Sequence, residues 1–563
     1  MPLALIGLLT MILFGSAFRY YGNFIAQKFL LSSSAKTPAV KHNDGNDFIP
    51  TKKAILIAQH FASIAAAGPI VGPITAAIYF GWGPAWLWIV LGSIFIGAIH
   101  DFSSLVASVK HDAKSIPELA KKYIGPKAYA LVLGFIWFSL LYVIIAFTSV
   151  TAQAFLAKEI WDGVAHNIGG GVATSSFLYL GLSMLMGVAL YKWKTPLWLA
   201  TILFFPALLG IILLGQYIPI QFNVSDPALL WGVIILVYCA IASVLPMWLL
   251  LQPRGYLGGY FLYVVLIFGV LGILFGGYHA QYPLMLSWYS PQIGSLFPFL
   301  FITIACGACS GFHGLVCSGT TSKQLHKETH ATSVGYGGML LEGIVAVMAL
   351  ATVMMWPQGS PMLSKSPAEV YANGIAYFMH SIIGLPISAG LTFGMLAFAT
   401  FVYDTLDVAT RLGRYLMEEL LNIRGVAGRW IATLLTLGIP MAYLFLGSNL
   451  QSALHSTKPI WLTIWPLFGS SNQLLAALTF LMLAAWFKNN TKSKKQLAPW
   501  LVLPAFFMFI TTMVALGLQC YDNFLKLGAG NNPIALINFI LSLALITISI
   551  LFLGQWFSKM HKK

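Results

Sequence analysis

Charge is what this chain has least of. Only 8% of its 563 residues are Asp, Glu, Lys or Arg, while 58% are hydrophobic. A soluble domain carries about 25% charged residues, so a soluble globular protein is excluded and an all-α polytopic membrane protein is left. No stretch is long or polar enough to form a separate soluble domain. No Gly-Lys pair occurs anywhere, so a P-loop is absent and the chain has no nucleotide motor of its own. Five cysteines, at 239, 306, 309, 317 and 520, lie in or beside apolar runs and read as small core residues, not as a disulfide framework. Cys306-x-x-Cys309 has metal-like spacing, but a lone pair in an apolar helix is weak evidence for zinc or redox chemistry, and no cofactor is called for. The N-terminus lacks a basic n-region and an A-x-A site, so a first span is expected there and not a signal peptide.

What is present is apolar length. A membrane span needs roughly 20 apolar residues, and fifteen such runs follow one another from 2–24 to 533–557, with 366–382 as a further half-membrane or interfacial helix. The formal net charge of +15 raises nucleic acid as a partner, but its placement argues otherwise. With the N-terminus outside, 27 of the 31 basic residues fall on the cytoplasmic side, and only Lys158, Lys365, Lys458 and Lys526 fall outside. A miscounted span would have flipped every later loop and spoiled that bias. The basic clusters therefore read as topology determinants facing anionic lipid, and the expected orientation is N-terminus outside, C-terminus cytoplasmic.

Two runs are interrupted at their centres. Residues 59–73 read QHFASIAAAGPIVGP, inside an apolar stretch from Ala54 to Phe80. Gly68-Pro69 and Gly72-Pro73 remove backbone donors and disfavour helix before each proline. Backbone freed in this way survives at membrane depth only where protein or a water-filled cavity supplies partners. Two such steps four residues apart point to an unwound helix rather than a kinked one, the usual mark of a transporter's binding site. The second interrupted run is 295–318, where Gly307, Gly311, Gly314 and Gly319 sit among Ser310, His313, Ser318, Thr320 and Thr321. Glycine at this density either lets helices touch closely or unwinds one; the polar residues favour exposed backbone. The two runs cross in opposite directions, as an inverted-topology repeat requires. Non-helical backbone is accordingly expected at 68–73 and 307–314, with the breaks facing each other.

QHFASIAAAGPIVGP, GAIHDFSS (97–104), ITIACGACSGFHGLVCSGTTSKQL (302–325), TLDVATRLGRY (405–415) and LFGSSNQLLAAL (467–478) resemble the carbon starvation protein A family, in family order over residues 54–480. The resemblance implies a bacterial inner-membrane carrier of peptides or pyruvate driven by protons, and a distant relationship to transporters of LeuT type. It implies a transport core at 54–487, with one repeat at 54–215, two inserted spans at 228–278 and a second repeat at 295–487. Residues 1–53 then hold a first span and a cytoplasmic loop, and 488–563 two C-terminal spans.

Ionisable groups inside a bilayer cost about 2.5–3.5 kcal/mol each on insertion scales, so each is a functional candidate by default. His60 lies just upstream of the first interruption, and imidazole titrates near neutral pH. His100 and Asp101 adjoin and point about 100° apart on a helix, so both cannot face one cavity, and Asp101 is the better candidate. Glu342 carries the same argument, with a loop lysine as its bland partner. Asp404 and Asp407 precede Arg411 and Arg414; Asp407–Arg411 at four residues reads as a structural pair. Asp404 with Thr405 then offers oxygen ligands for Na⁺ or a proton. His60, Asp101, Glu342, Asp404 and Thr405 are thus the expected ion-coupling set. Gly68, Pro69, Gly72, Ser310, His313 and Ser318 are the expected substrate-binding residues, joined by Asn472 and Gln473, whose amides suit a carboxylate or peptide bond. Membrane Asn and Gln also staple helices together.

The expected function is a secondary active transporter importing small carboxylates or short peptides by proton symport, with Na⁺ as the alternative ion. A membrane haem oxidoreductase using His60, His100 and His313 is the rival from another class, but no span holds a His pair at cytochrome-like spacing. A channel or nutrient sensor is the third reading.

Overall fold

The computed structural model describes residues 1–44, 48–161, 164–246, 248–423, 425–454, 460–490, 498–528 and 532–561. Arg424, Lys458, Lys492, Lys494, Lys495, Lys562 and Lys563, all used above to set the topology, lie outside the described residues.

Among the described residues, thirteen helices are long and apolar enough to cross a membrane, from Leu3–Lys28 to Pro533–Met560. A further crossing is built from two helices, Lys53–Ile64 and Gly68–Phe80, bent by 49° at the break between them. The run expected at 295–318 forms three short helices instead, Leu296–Thr303, Ala305–Ala308 and Gly311–Gly319. Thirteen whole spans and two broken ones account for all fifteen apolar runs. The segment expected at 366–382 is the helix Pro367–Ile383, opened by a capping box in which Ser366 and Glu369 exchange bonds. Among the described residues, strand is confined to two small hairpins, Glu159–Trp161 with Val164–His166 and Tyr289–Ser290 with Gly294–Ser295.

The chain divides into two compact units. One comprises Met1–Gly7, Leu140–Pro283 and Met348–Ile464; the other comprises Leu8–Ser139, Leu284–Val347 and Trp465–Lys563. Both broken spans lie in the second unit.

The first break sits beside its expected position and the second within it, for a physical reason in each case. The first helix ends at Ile64, Ala65 leaves helical geometry (φ −77°, ψ 77°), and the ladder restarts at Gly68. Pro69 stands in the first turn of the new helix, where its missing N–H would have had no partner anyway. The Gly-Pro step therefore starts a half-helix, and residues 68–73 are helical. In the second span the chain is extended at Phe297 near its start (φ −95°, ψ 125°) and again at Cys309 (φ −165°, ψ 125°) and Ser310 (φ −121°, ψ 127°), with a kink at Ile304. Residues 311–314 are helical. Gly311 is needed for close approach: a Cβ there would lie 2.5 Å from the backbone of Asn472 and Ala476.

Candidate functional site

The two broken spans meet within the second unit. A Cβ on Gly68 would fall 2.5 Å from Cys306 Sγ, and one on Gly72 would fall 2.4 Å from the carbonyl oxygen of Thr303. Only glycine lets the start of one half-helix lie on the kinked turn of the other span. Pro69 is buried in the same contact, its Cα 3.5 Å from the position a Cβ on Gly307 would take.

Helix Ile460–Asn490 stitches the second break. Asn472 Oδ1 accepts from the Phe312 amide at 3.0 Å and from Ser310 Oγ at 3.1 Å, while its Nδ2 donates to Ser310 Oγ at 3.0 Å and Cys306 Sγ at 3.1 Å. The N-terminus of Gly311–Gly319 is thus capped from another helix, with no cap from the Ser310 side chain itself. Gln473, next along, is fully buried, and neither atom of its amide has a hydrogen-bond partner. Buried polar groups are nearly always paired, so this unpaired amide, one residue along the helix from Asn472, is an exception. Ser318 is different: its hydroxyl donates to the Gly314 carbonyl at 2.7 Å and is satisfied within its own helix.

A chain of ionisable side chains runs through the same unit. His100 Nδ1 lies 2.9 Å from Asp101 Oδ1, Asp101 Oδ2 lies 2.8 Å from His313 Nδ1, and His313 Nε2 lies 3.1 Å from Glu342 Oε2. All four side chains are at most 1% exposed. The contact to Glu342 is at ion-pair distance but off the hydrogen-bond direction, so neither Glu342 oxygen has a well-aligned donor. The helices that carry the two carboxylates each contain a π-helical turn just upstream, Ser93–Gly97 before Asp101 and Thr332–Tyr336 before Glu342. Such turns rotate the following side chains and recur at functional sites. Ser93 Oγ donates to the Gly307 carbonyl at 3.2 Å, which ties the first of them to the broken span.

The arithmetic of charge matters here. With His313 as imidazolium, two buried carboxylates leave one net negative charge; a second proton neutralises the group. An uncompensated charge out of water costs several kcal/mol. The charges of the set are therefore coupled, since a change on one member alters the field on the others.

His60 extends the line. Its Nδ1 lies 3.0 Å from Thr321 Oγ1, its Nε2 has no partner, and its ring presses on Gly338, one turn before Glu342.

The structure thus brings together Gly68, Pro69, Gly72, Ser310, His313, Asn472, His60, Asp101 and Glu342. It moves His313 from the substrate set to the centre of the acid chain. His100, set aside because consecutive helical residues diverge, folds back onto its neighbour's carboxylate, a reach that the angular argument ignored. Glu342 has His313 beside it instead of a loop lysine. Asp404 and Thr405 lie in the first unit: Asp404 faces Arg254, and the Thr405 hydroxyl donates to the Phe401 carbonyl at 3.2 Å. The expected Asp407–Arg411 pair is replaced by a bond from Arg254 to Asp407, and Arg411 Nη2 donates to the carbonyls of Ala242 and Leu245. Arg254, missed by sequence reasoning, is 150 or more residues away from both aspartates and gave no local signal.

Comparison with known proteins adds the following. The profile of the family described as Carbon starvation protein CstA matches residues 3–362 and 358–515. The chain is 32% identical to the peptide transporter CstA of Campylobacter jejuni, over 88% of this chain and 77% of that protein. It is 30% identical to the pyruvate/proton symporter BtsT of Escherichia coli, over 90% of this chain and 80% of that protein. The solved structure of MhsT in complex with L-phenylalanine aligns over 83% of this chain and 98% of its own length, at 15% identity and a TM-score of 0.46. On the family match over most of its length and on these relatives, the chain belongs to the CstA family of multi-pass membrane transporters.

Proposed function

We propose that this protein is a proton-coupled secondary transporter that imports small carboxylates, pyruvate being the type, or short peptides. The observation that carries the reading is His313 held between Asp101 and Glu342, fully buried, on a helix that begins at a break. A proton added to this group removes its one net negative charge, while His313 as imidazolium keeps Asp101 as its hydrogen-bonded partner in both states. The break beside it supplies the substrate side. Both the named relatives' substrates, pyruvate and peptides, carry a carboxylate. A half-helix start such as Gly68 favours an anionic group, and the orphaned amide of Gln473 can both donate and accept.

In this reading the broken spans are the paired elements of an inverted repeat, 54–215 and 295–487, with 228–278 inserted. Broken helices of opposite direction in one compact unit support it. The distribution of basic residues supports an orientation with the N-terminus outside and the C-terminus in the cytoplasm of a bacterial inner membrane. Purified protein is to be screened for binding of pyruvate, other small acids and di- and tripeptides, at two pH values, with and without Na⁺. The expected outcome is saturable binding of one of these classes that responds to pH and not to Na⁺. Binding of none, or binding that requires Na⁺, overturns the reading.

A further inference from the structure

Within the first unit lies a second buried ionic cluster, which the proton chain does not use. Arg254 is fully buried near the start of helix Leu251–Phe275. Its Nε donates to Asp404 Oδ1 at 2.5 Å, its Nη1 to Asp407 Oδ2 and to Tyr238 Oη, and its Nη2 to the Tyr403 carbonyl at 3.4 Å. Every atom the guanidinium touches is an oxygen. The partners are themselves held: Tyr238 donates to Asp407 Oδ2 at 2.8 Å, and Tyr179 donates to the carbonyl of Arg254 at 2.6 Å.

The charge does not close, since one guanidinium faces two carboxylates. Asp407 is 2% exposed, and its Oδ1 has no partner; the hydroxyl of Thr400 on the same helix is also buried without one. Arginine frequently engages one carboxylate through two parallel bonds. Here the guanidinium is spread over two acids, a phenol and a carbonyl. These are the hard oxygen donors that an alkali or alkaline-earth cation takes.

We propose that this cluster is a monovalent-cation cage which the chain fills with its own guanidinium, so that residue 254 determines ion dependence. With arginine there, no Na⁺ binds at Asp404 and Asp407. With the guanidinium removed, Na⁺ takes its place, because the buried Asp407 and the partly buried Asp404 lose their shared cation. The inference deepens the reading of the protein as a proton-coupled carrier and rests on it only for the consequence in transport.

The test uses purified full-length protein and no substrate. Unfolding temperature is measured in NaCl and in choline chloride of equal ionic strength for wild type, Arg254→Met and Arg254→Gln. The glutamine variant keeps both carboxylates and a polar side chain among them, and so covers failure of the methionine variant to accumulate. Wild type is expected to show no difference between the salts. A variant that has gained a site is expected to be stabilised by NaCl on the order of a few °C, as for any ligand that binds only the folded state. Stabilisation of wild type by Na⁺, or equal response to both salts in the variants, overturns the proposal. Absent proton-driven uptake by wild type would sink the transport reading and leave this result standing.

Discussion

Gly72→Ala perturbs the contact between the two broken spans with one methyl group. The added Cβ would lie 2.4 Å from the Thr303 carbonyl oxygen and 3.2 Å from Ile304 Cα, whereas real Cβ contacts essentially never fall under 3.0 Å. The shortfall is backbone against backbone, so no side-chain rotation relieves it. The movement falls on Ile304, the kink residue of the second broken span. Alanine gains about 0.8–1.0 kcal/mol over glycine inside a helix, and overpacking costs about 1–3 kcal/mol. Net destabilisation is therefore at most about 2 kcal/mol, and the protein still folds. Transport is the sensitive readout, because a displacement near 1 Å at a working site costs on the order of 10²-fold. The assay is the initial rate of uptake into proteoliposomes, normalised to protein, beside the unfolding temperature. The expected result is a rate lower by about tenfold or more with a modest loss of stability. Gly134→Ala, where a Cβ meets nothing within 4 Å, is the control and should transport normally. Normal uptake by Gly72→Ala would refute the assignment of the site to this contact.

Gln473→Met should leave stability unchanged or raise it, since it removes an unpaired buried amide, while weakening substrate binding at least several-fold; unchanged affinity in a binding titration would count against a substrate role. Asn472→Ala strips the Phe312 amide and Ser310 of their partner and should cost about 1–3 kcal/mol, read as a lower unfolding temperature. His111, beyond the end of helix Ala98–Val109, has Nδ1 2.6 Å from the Ala107 carbonyl and Nε2 2.6 Å from Tyr123 Oη. Burial holds its pKa below the ordinary 6.5. The unfolded chain therefore binds the proton first, and the contribution of His111 to stability, complete above pH 6.5, is lost as pH falls through its folded value. His111→Gln should flatten the fall in unfolding temperature over that window, and an unaltered slope would remove His111 from the account.

The number of spans and the identity of the two broken ones were legible because hydropathy over some twenty residues is a strong local signal, and Gly-Pro steps at membrane depth are rare in whole helices. The position of the first break was not, because proline both ends helices and starts them: Pro69 sits in a first turn, four residues past Ala65 where the ladder fails. Asp101, His60 and Glu342 were legible as costly ions, and their connection was not. Spacing rules relate residues within one helix, whereas His313 joins Asp101 and Glu342 from a third. The same blindness paired Asp407 with Arg411, a turn away, when its partner is Arg254 on another helix. Asn472 was readable as a helix staple, which is the role its bonds to Ser310 and Phe312 give it.

The central claim is that the buried His–carboxylate chain carries the coupling proton, and Glu342→Gln tests it most directly. Glu342 has no well-aligned donor, so the substitution removes a charge without breaking a formed hydrogen bond. Proteoliposomes holding wild type or the variant are to be compared in two modes: accumulation of labelled substrate under an inward proton gradient, and exchange of labelled for unlabelled substrate with no gradient. The account predicts that the variant exchanges substrate at a rate near wild type but does not accumulate it. Full gradient-driven accumulation by Glu342→Gln would contradict it.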